Sequence, residues 1–241
     1  MKKIYVLFLL LFVFGISFSS CTKDFEDGGN YNGSNNGISE NGDGSGDGDY
    51  WPAAIGNQWI LDQNGTEVSM KIIDTEGDYF KFDSLFGTGD GIEGMGSAYL
   101  KKTKGNYLIK MGEINFDYGE GITGKISGYE YIFFKDYLDV NESWTGTFSY
   151  ATTFSIAGLP PVTMNVSYKG TILEKASSVT IGTITYKDVI KFKFHQEAKI
   201  LGQAAASSDA EYLIAKNVGV IEFRTGSSIS TLKTYVVKNK K

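Results

Sequence analysis

The chain of 241 residues holds one cysteine, one histidine and three prolines, and Arg224 is its single arginine. Each shortage excludes something. A lone Cys21 has no partner for an intramolecular disulfide. His195, with no second histidine and no nearby thiol, cannot assemble a Cys/His zinc set or a catalytic triad of the usual kind. By alternation it shares a strand face with Lys191 and Lys193, opposite the aromatic face, and reads as a solvated strand residue. With lysines and one arginine as its only bases, and more acids than bases, the chain lacks the basic stripe that nucleic acid needs. No cofactor and no catalytic activity are expected from this inventory. The longest apolar run, Ile4 to Ile16, falls short of the roughly 20 residues that span a bilayer as a helix.

What is present divides the chain into three. Lys2 and Lys3 precede that run, and Ser19-Ser20 follow it, the order of a secretion signal over residues 1–20. Residues 22–49, "TKDFEDGGNYNGSNNGISENGDGSGDGD", carry seven acids against Lys23, a net of −6. With almost no apolar residue, the stretch cannot offset its ordering entropy, so 21–49 is predicted to be a flexible tether. The segment 50–241 holds 20 bases and 21 acids. The acidity belongs to the tether, not to a binding face.

The small pair before Cys21, after Phe18, resembles the lipobox of bacterial lipoproteins. The resemblance implies cleavage before Cys21, acylation of its thiol and attachment to a membrane through the acyl chains. Stable anchoring takes more than one chain. The acids in "CTKDFED" are similar to the surface-export signal of Bacteroidota lipoproteins, which implies the outer membrane with the domain facing the cell exterior.

From Tyr50 the sequence is written in short runs of valine, isoleucine, threonine, tyrosine and phenylalanine broken by glycine, predicting an all-β, mainly antiparallel domain. Residues 146–172 form the clearest hairpin. Phe148, Tyr150, Phe154 and Ile156 alternate with Thr147, Ser149, Thr153 and Ser155. Past "GLPP", Val162, Met164, Val166, Tyr168 and Ile172 take up the alternation. Period two puts each apolar set on one face, so Phe154 is predicted buried and Thr153 exposed. In "TYKDVIKFKF", Tyr186, Ile190, Phe192 and Phe194 oppose Lys187, Lys191 and Lys193. Asn64-Gly65 marks a two-residue hairpin turn. Further strands are predicted near 78–84, 97–103, 106–111, 129–134, 210–215, 218–224 and 230–238. The window 202–216 reads as a helix or as a loop leading into a strand. Stretches 87–96 and 118–128 are too glycine-rich for strand interiors and are predicted to be loops.

Three stretches, "DYWPAAIGNQW", "TIGTITYKDVIKFKF" and "EYLIAKNVGVIEF", together resemble a group of β-rich bacterial lipoproteins of unknown function. That resemblance implies a curved sheet, open or half-closed into a barrel, similar to the periplasmic lipoprotein carriers. Trp59 is expected to pack in the curve of the first strand, Gly56-Asn57 to make the left-handed turn before it, and Gly219 to mark a bulge or close approach. "YLDVNESWTG", 137–146, echoes the opening motif as the start of a second half.

Motifs with chemistry are few. Glu93, Glu113, Asp117 and Glu120 stand in or beside the glycine-rich stretches, and two converging carboxyls could hydrolyse a glycosidic bond. Asp43, Ser45, Asp47, Gly48 and Asp49 follow calcium-loop spacing, but Ala54 stands where a bidentate glutamate is required. Asp83-Ser84-Leu85 matches a Bacteroidota O-glycosylation acceptor, with Ser84 as the modified residue. The expected function is noncatalytic binding of an apolar, glycan or protein ligand on an aromatic concave face. The alternatives are a structural or assembly component of the envelope, or a carbohydrate-active hydrolase. An open concavity, a filled interior or two converging acids would separate the three.

Overall fold

The computed structural model describes residues 49–86, 97–200 and 202–238; Cys21, the tether up to residue 48 and the 87–96 stretch lie outside the described residues. Fourteen strands follow one another: β1 (Gln58–Gln63), β2 (Thr66–Glu76), β3 (Tyr79–Phe82), β4 (Ala98–Thr103), β5 (Asn106–Met111), β6 (Ile114–Gly119) and β7 (Ile122–Ile126) make the first half. The second half contains β8 (Tyr129–Lys135), β9 (Ser143–Phe154), β10 (Val162–Ile181), β11 (Ile184–Ile200), β12 (Ala206–Ala215), β13 (Gly219–Thr225) and β14 (Ser228–Val236). All pair antiparallel in one sheet ordered β6-β7-β9-β10-β11-β12-β13-β14-β1-β2-β3-β4-β5-β8. The protein is all-β, and its sheet is curved and not closed into a barrel.

The turn chemistry explains the register. Asn64 (φ 52°) and Gly65 (φ 89°) both take left-handed backbone, the primed turn whose twist matches the strands it joins. Trp59 is fully buried in β1 behind Gly56, whose φ is 89°. Gly219 makes the close approach expected of it: a Cβ there would stand 2.9 Å from the Trp59 indole nitrogen, while the register shift of β13 falls two residues on, at Ile221.

Two expectations need correction. The 118–128 stretch is not a loop: it contains the end of β6, a turn at Glu120-Gly121, and β7. Gly124 sits in a strand because the Phe116 ring of its cross-strand partner lies over it, filling the space a side chain would take. Gly146 beneath Tyr168 and Gly170 beneath Trp144 repeat the device. In the 202–216 window the second of the two readings holds, a loop over 202–205 leading into strand β12. The 146–172 hairpin is present, but β9 ends at Phe154, which is half-buried, so Ile156 falls in the following loop and is exposed.

The chain joins the two ends of the sheet. β5 runs on into β6 and β7 into β8, so 106–135 is one long hairpin whose base lies beside β4 and whose tip pairs with β9 through β7. Between β8 and β9 there is no backbone ladder. The Trp144 indole N–H donates to Ile132 O (3.1 Å), and Ile132 N–H donates to the Tyr168 hydroxyl (3.2 Å). Side chains seal this seam.

Candidate functional site

The interior is packed with rings. Trp51 touches Trp59, Phe82, Phe86 and Phe133 at 5.8–6.4 Å between centroids. From Phe133 the contacts run through Phe192 and Phe194 to Tyr168, then to Phe148. Such ring pairs add to burial about 0.5–1.5 kcal/mol each. The aromatic face that period two predicted is the core.

Where β8 and β9 separate, this packing reaches solvent as a set of tyrosines. Tyr129 stacks on Phe148 (4.8 Å, 9°) and on Tyr150 (5.2 Å), and Tyr131 stacks on Phe148 (5.3 Å). Tyr212 packs on Phe133 and Phe192 at 4.9 and 5.0 Å. All four tyrosines are half-buried. Burial raises the pKa of every one of these hydroxyls, and Tyr129, Tyr212 and Tyr168 push Tyr131 further. They therefore stay neutral at physiological pH, able to donate and to accept. Among the described residues, none of these four hydroxyls has a hydrogen-bond partner, whereas that of Tyr168 receives Ile132 N–H. Tyr150 and Tyr168 stood on the predicted buried face. Tyr129, Tyr131 and Tyr212 lay in predicted strands but were not singled out; the period-two "YEY" of 129–131 was the available signal.

The residues singled out for chemistry are scattered. Glu113 pairs with Lys125 (2.5 Å), Asp117 accepts Gly119 N–H (2.7 Å), and Glu120 is exposed on the turn. Glu93 lies outside the described residues. His195 is half-exposed beside Asp209 (2.8 Å), which also takes Lys193 (3.0 Å), as its charged face predicts. Asp49 binds Lys102 (2.7 Å) and Trp51 N–H (3.2 Å), and its carbonyl accepts Asn217 N–H (2.7 Å). The last residue of the expected tether is thus already tied to the domain. Asp83 accepts Lys71 N–H (2.8 Å) and Ser84 N–H (2.6 Å) while Leu85 is buried, an ordinary turn that leaves Ser84 half-buried. A shallow depression of about 490 Å³ lies over β6, β7 and β9, lined by Asn115, Asp117, Lys125 and their neighbours.

One buried acid is separate from these. Asp136 accepts the Tyr107 hydroxyl (3.1 Å) on one oxygen, and its other oxygen is buried without a partner. Burial holds its carboxyl above the ordinary range despite that hydrogen bond. Tyr107 in turn receives Tyr50 N–H (2.9 Å). The pair fastens the start of the domain.

No family model and no curated protein matches the chain. A solved structure that it resembles is a Parabacteroides distasonis protein provisionally described as a lipoprotein. The two share 11% identity with a TM-score of 0.47, over 78% of this chain and 99% of that one.

Proposed function

We propose that the chain is a lipoprotein, acylated on Cys21 and held at the outer membrane facing the cell exterior, whose β domain binds a neutral ligand without catalysis. The observation that carries the binding role is the group of unpartnered hydroxyls on Tyr129, Tyr131, Tyr150 and Tyr212 above a filled aromatic floor. Because rings occupy the interior beneath it, the ligand rests on this mouth and does not enter the sheet. Neutral hydroxyls over carbon faces suit a polyhydroxylated partner, so a glycan fits better than an acyl chain. Among the described residues the candidate acids Glu113, Asp117 and Glu120 are each engaged locally or stand exposed, which supports a noncatalytic role.

The experiment is a titration of the mature protein with neutral β-1,4-glucan, β-1,4-mannan and α-1,4-glucan oligosaccharides, followed by calorimetry. Binding to one of them, lost in the Tyr129→Phe/Tyr150→Phe double variant with its melting temperature retained, supports the site. No binding to any, or equal binding by the variant, removes it. The packed interior then favours the second reading, an envelope structural or assembly component. The anchor is tested separately: Cys21→Ser should abolish acyl labelling and release the protein from membranes.

A further inference from the structure

Antiparallel pairing sorts the turns onto two ends of the sheet. One end carries the start of β1, the turns at Gly77, Gly105 and Gly182, the β8–β9 and β12–β13 connections, and the finish of β14. The chain arrives there as well, because Asp49 is bonded to Asn217 and Lys102. The tyrosine mouth is not at this end. Tyr129 begins β8 and Phe134 nearly ends it, and Phe134 is the residue that Tyr50 touches.

Exposed apolar side chains follow the same division. Among the described residues nine large ones are exposed, and six are at the arrival end: Ile55, Ile73, Val140, Ile184, Tyr235 and Val236, each 40–54% open. Ile55 and Val140 occupy the two connections that lead into β1 and β9. Ile73 follows Ile72, whose carbonyl accepts Gly56 N–H. Tyr235 and Val236 lie across from Trp59 and Gln58, and Ile184 stands beside the Gly182 turn. Scattered singly these would need no explanation; gathered on one end they do.

We infer that this end rests on a lipid surface, with these side chains at the headgroup boundary and the tyrosine mouth directed away from it. The inference rests on the lipoprotein reading, and the occupant follows from where the chain goes. Cys21 lies 28 residues before Asp49, and a flexible linker of that length, as the sequence predicts, would reach on the order of 30 Å. The end that receives it is the end held nearest the acyl chains. Aliphatic residues with a tyrosine among them form the mixture that partitions into the boundary region.

The lone cysteine makes the test simple, since acylation of Cys21 leaves any introduced thiol as the one to label. The full acylated protein carrying Ile184→Cys, or Leu159→Cys from the opposite end, is labelled with an environment-sensitive fluorophore. It is then reconstituted in phosphatidylethanolamine–phosphatidylglycerol vesicles containing headgroup nitroxide lipid. The label at 184 should be quenched several-fold more strongly than the label at 159. Val140→Cys should repeat the result if Ile184→Cys folds poorly. Equal quenching at both ends, or none at either, overturns the inference. Mass spectrometry of Cys21 keeps the two ideas apart. An acylated protein with no difference between ends refutes only the docking surface. Absence of the acyl group refutes the anchor, and a Cys21→Ser protein carrying the same introduced thiol, labelled and mixed with the same vesicles, then tests the surface by itself.

Discussion

Two corners of the molecule use one backbone device for different ends. Before β1, Gly56 N–H donates to Ile72 O (2.8 Å) and Ile72 N–H to Asn57 O (2.9 Å). Before β9, Asn141 N–H donates to Ile172 O (2.8 Å) and Ile172 N–H to Glu142 O (3.0 Å). Gly56 and Asn141 hold the left-handed position, at φ 89° and 71°. A tryptophan stands two residues beyond Asn57 and two beyond Glu142. The faint echo between "AIGNQW" and "VNESW" is therefore a structural repeat. The corners differ in what they close. Trp59 donates to Val218 O (2.6 Å), and buried Asn57 bonds Pro52 O and Lys238 N–H, joining both ends of the domain. Trp144 donates across the seam where the ladder stops. A shared turn geometry can serve a continuous sheet or mend a break in one.

The largest effects come from the tryptophans. Trp59→Ala and Trp144→Ala should each cost about 3–5 kcal/mol, a large share of the 5–15 kcal/mol typical of a domain. Urea unfolding checks the size, and hydrogen exchange checks the difference: loss of Trp144 should loosen Tyr129–Phe133 first, loss of Trp59 the strands β1 and β13. Equal loosening everywhere would erase the distinction between corners.

The residues after the left-handed position separate the corners at a smaller scale. Asn57→Ala removes a buried amide, leaving Pro52 O and Lys238 N–H without that partner, and should cost about 1–3 kcal/mol. Glu142→Ala removes an exposed carboxylate that accepts Asp139 N–H (2.7 Å), and should stay within about 0.5 kcal/mol. Similar losses at both sites would mean that burial is not what distinguishes them.

Asp136, just before the second corner, adds a pH dependence. Its carboxyl is raised above the ordinary 3.8 by burial, so the folded state holds a proton that the unfolded state gives up first. Its contribution is complete below the unfolded value and fades as pH rises through the folded one. Chemical unfolding from pH 3.8 upward should show a decline that Asp136→Asn flattens. A decline unchanged in the variant would assign it to other groups.

Much of this was legible in the sequence because period-two alternation and turn residues are local signals. Asn64-Gly65, the lysine and aromatic faces of β11, and the predicted strands from 78 to 238 all appear. β7 was hidden because Gly124 carries no side chain of its own, and only pairing reveals that Phe116 supplies the missing volume. β10 runs past Ile172 to Ile181, since Ala176, Ser177 and Ser178 dilute the alternation without ending the strand. The seam was illegible for a different reason. It depends on Trp144 and Tyr168 meeting Ile132, 12 and 36 residues away, and no local pattern encodes that meeting. The tyrosine mouth fell between the two cases, since its strands were predicted but its convergence was not.

The seam is the claim most directly open to measurement. The amide of Ile132 faces away from β5 and is held by the Tyr168 hydroxyl. In native-state hydrogen exchange it should be protected although its partner is a side-chain hydroxyl. Tyr168→Phe should remove that protection, while Trp59→Phe leaves it in place. Rapid exchange of Ile132 in the unmodified protein, or protection that survives Tyr168→Phe, would contradict a seam sealed by side chains.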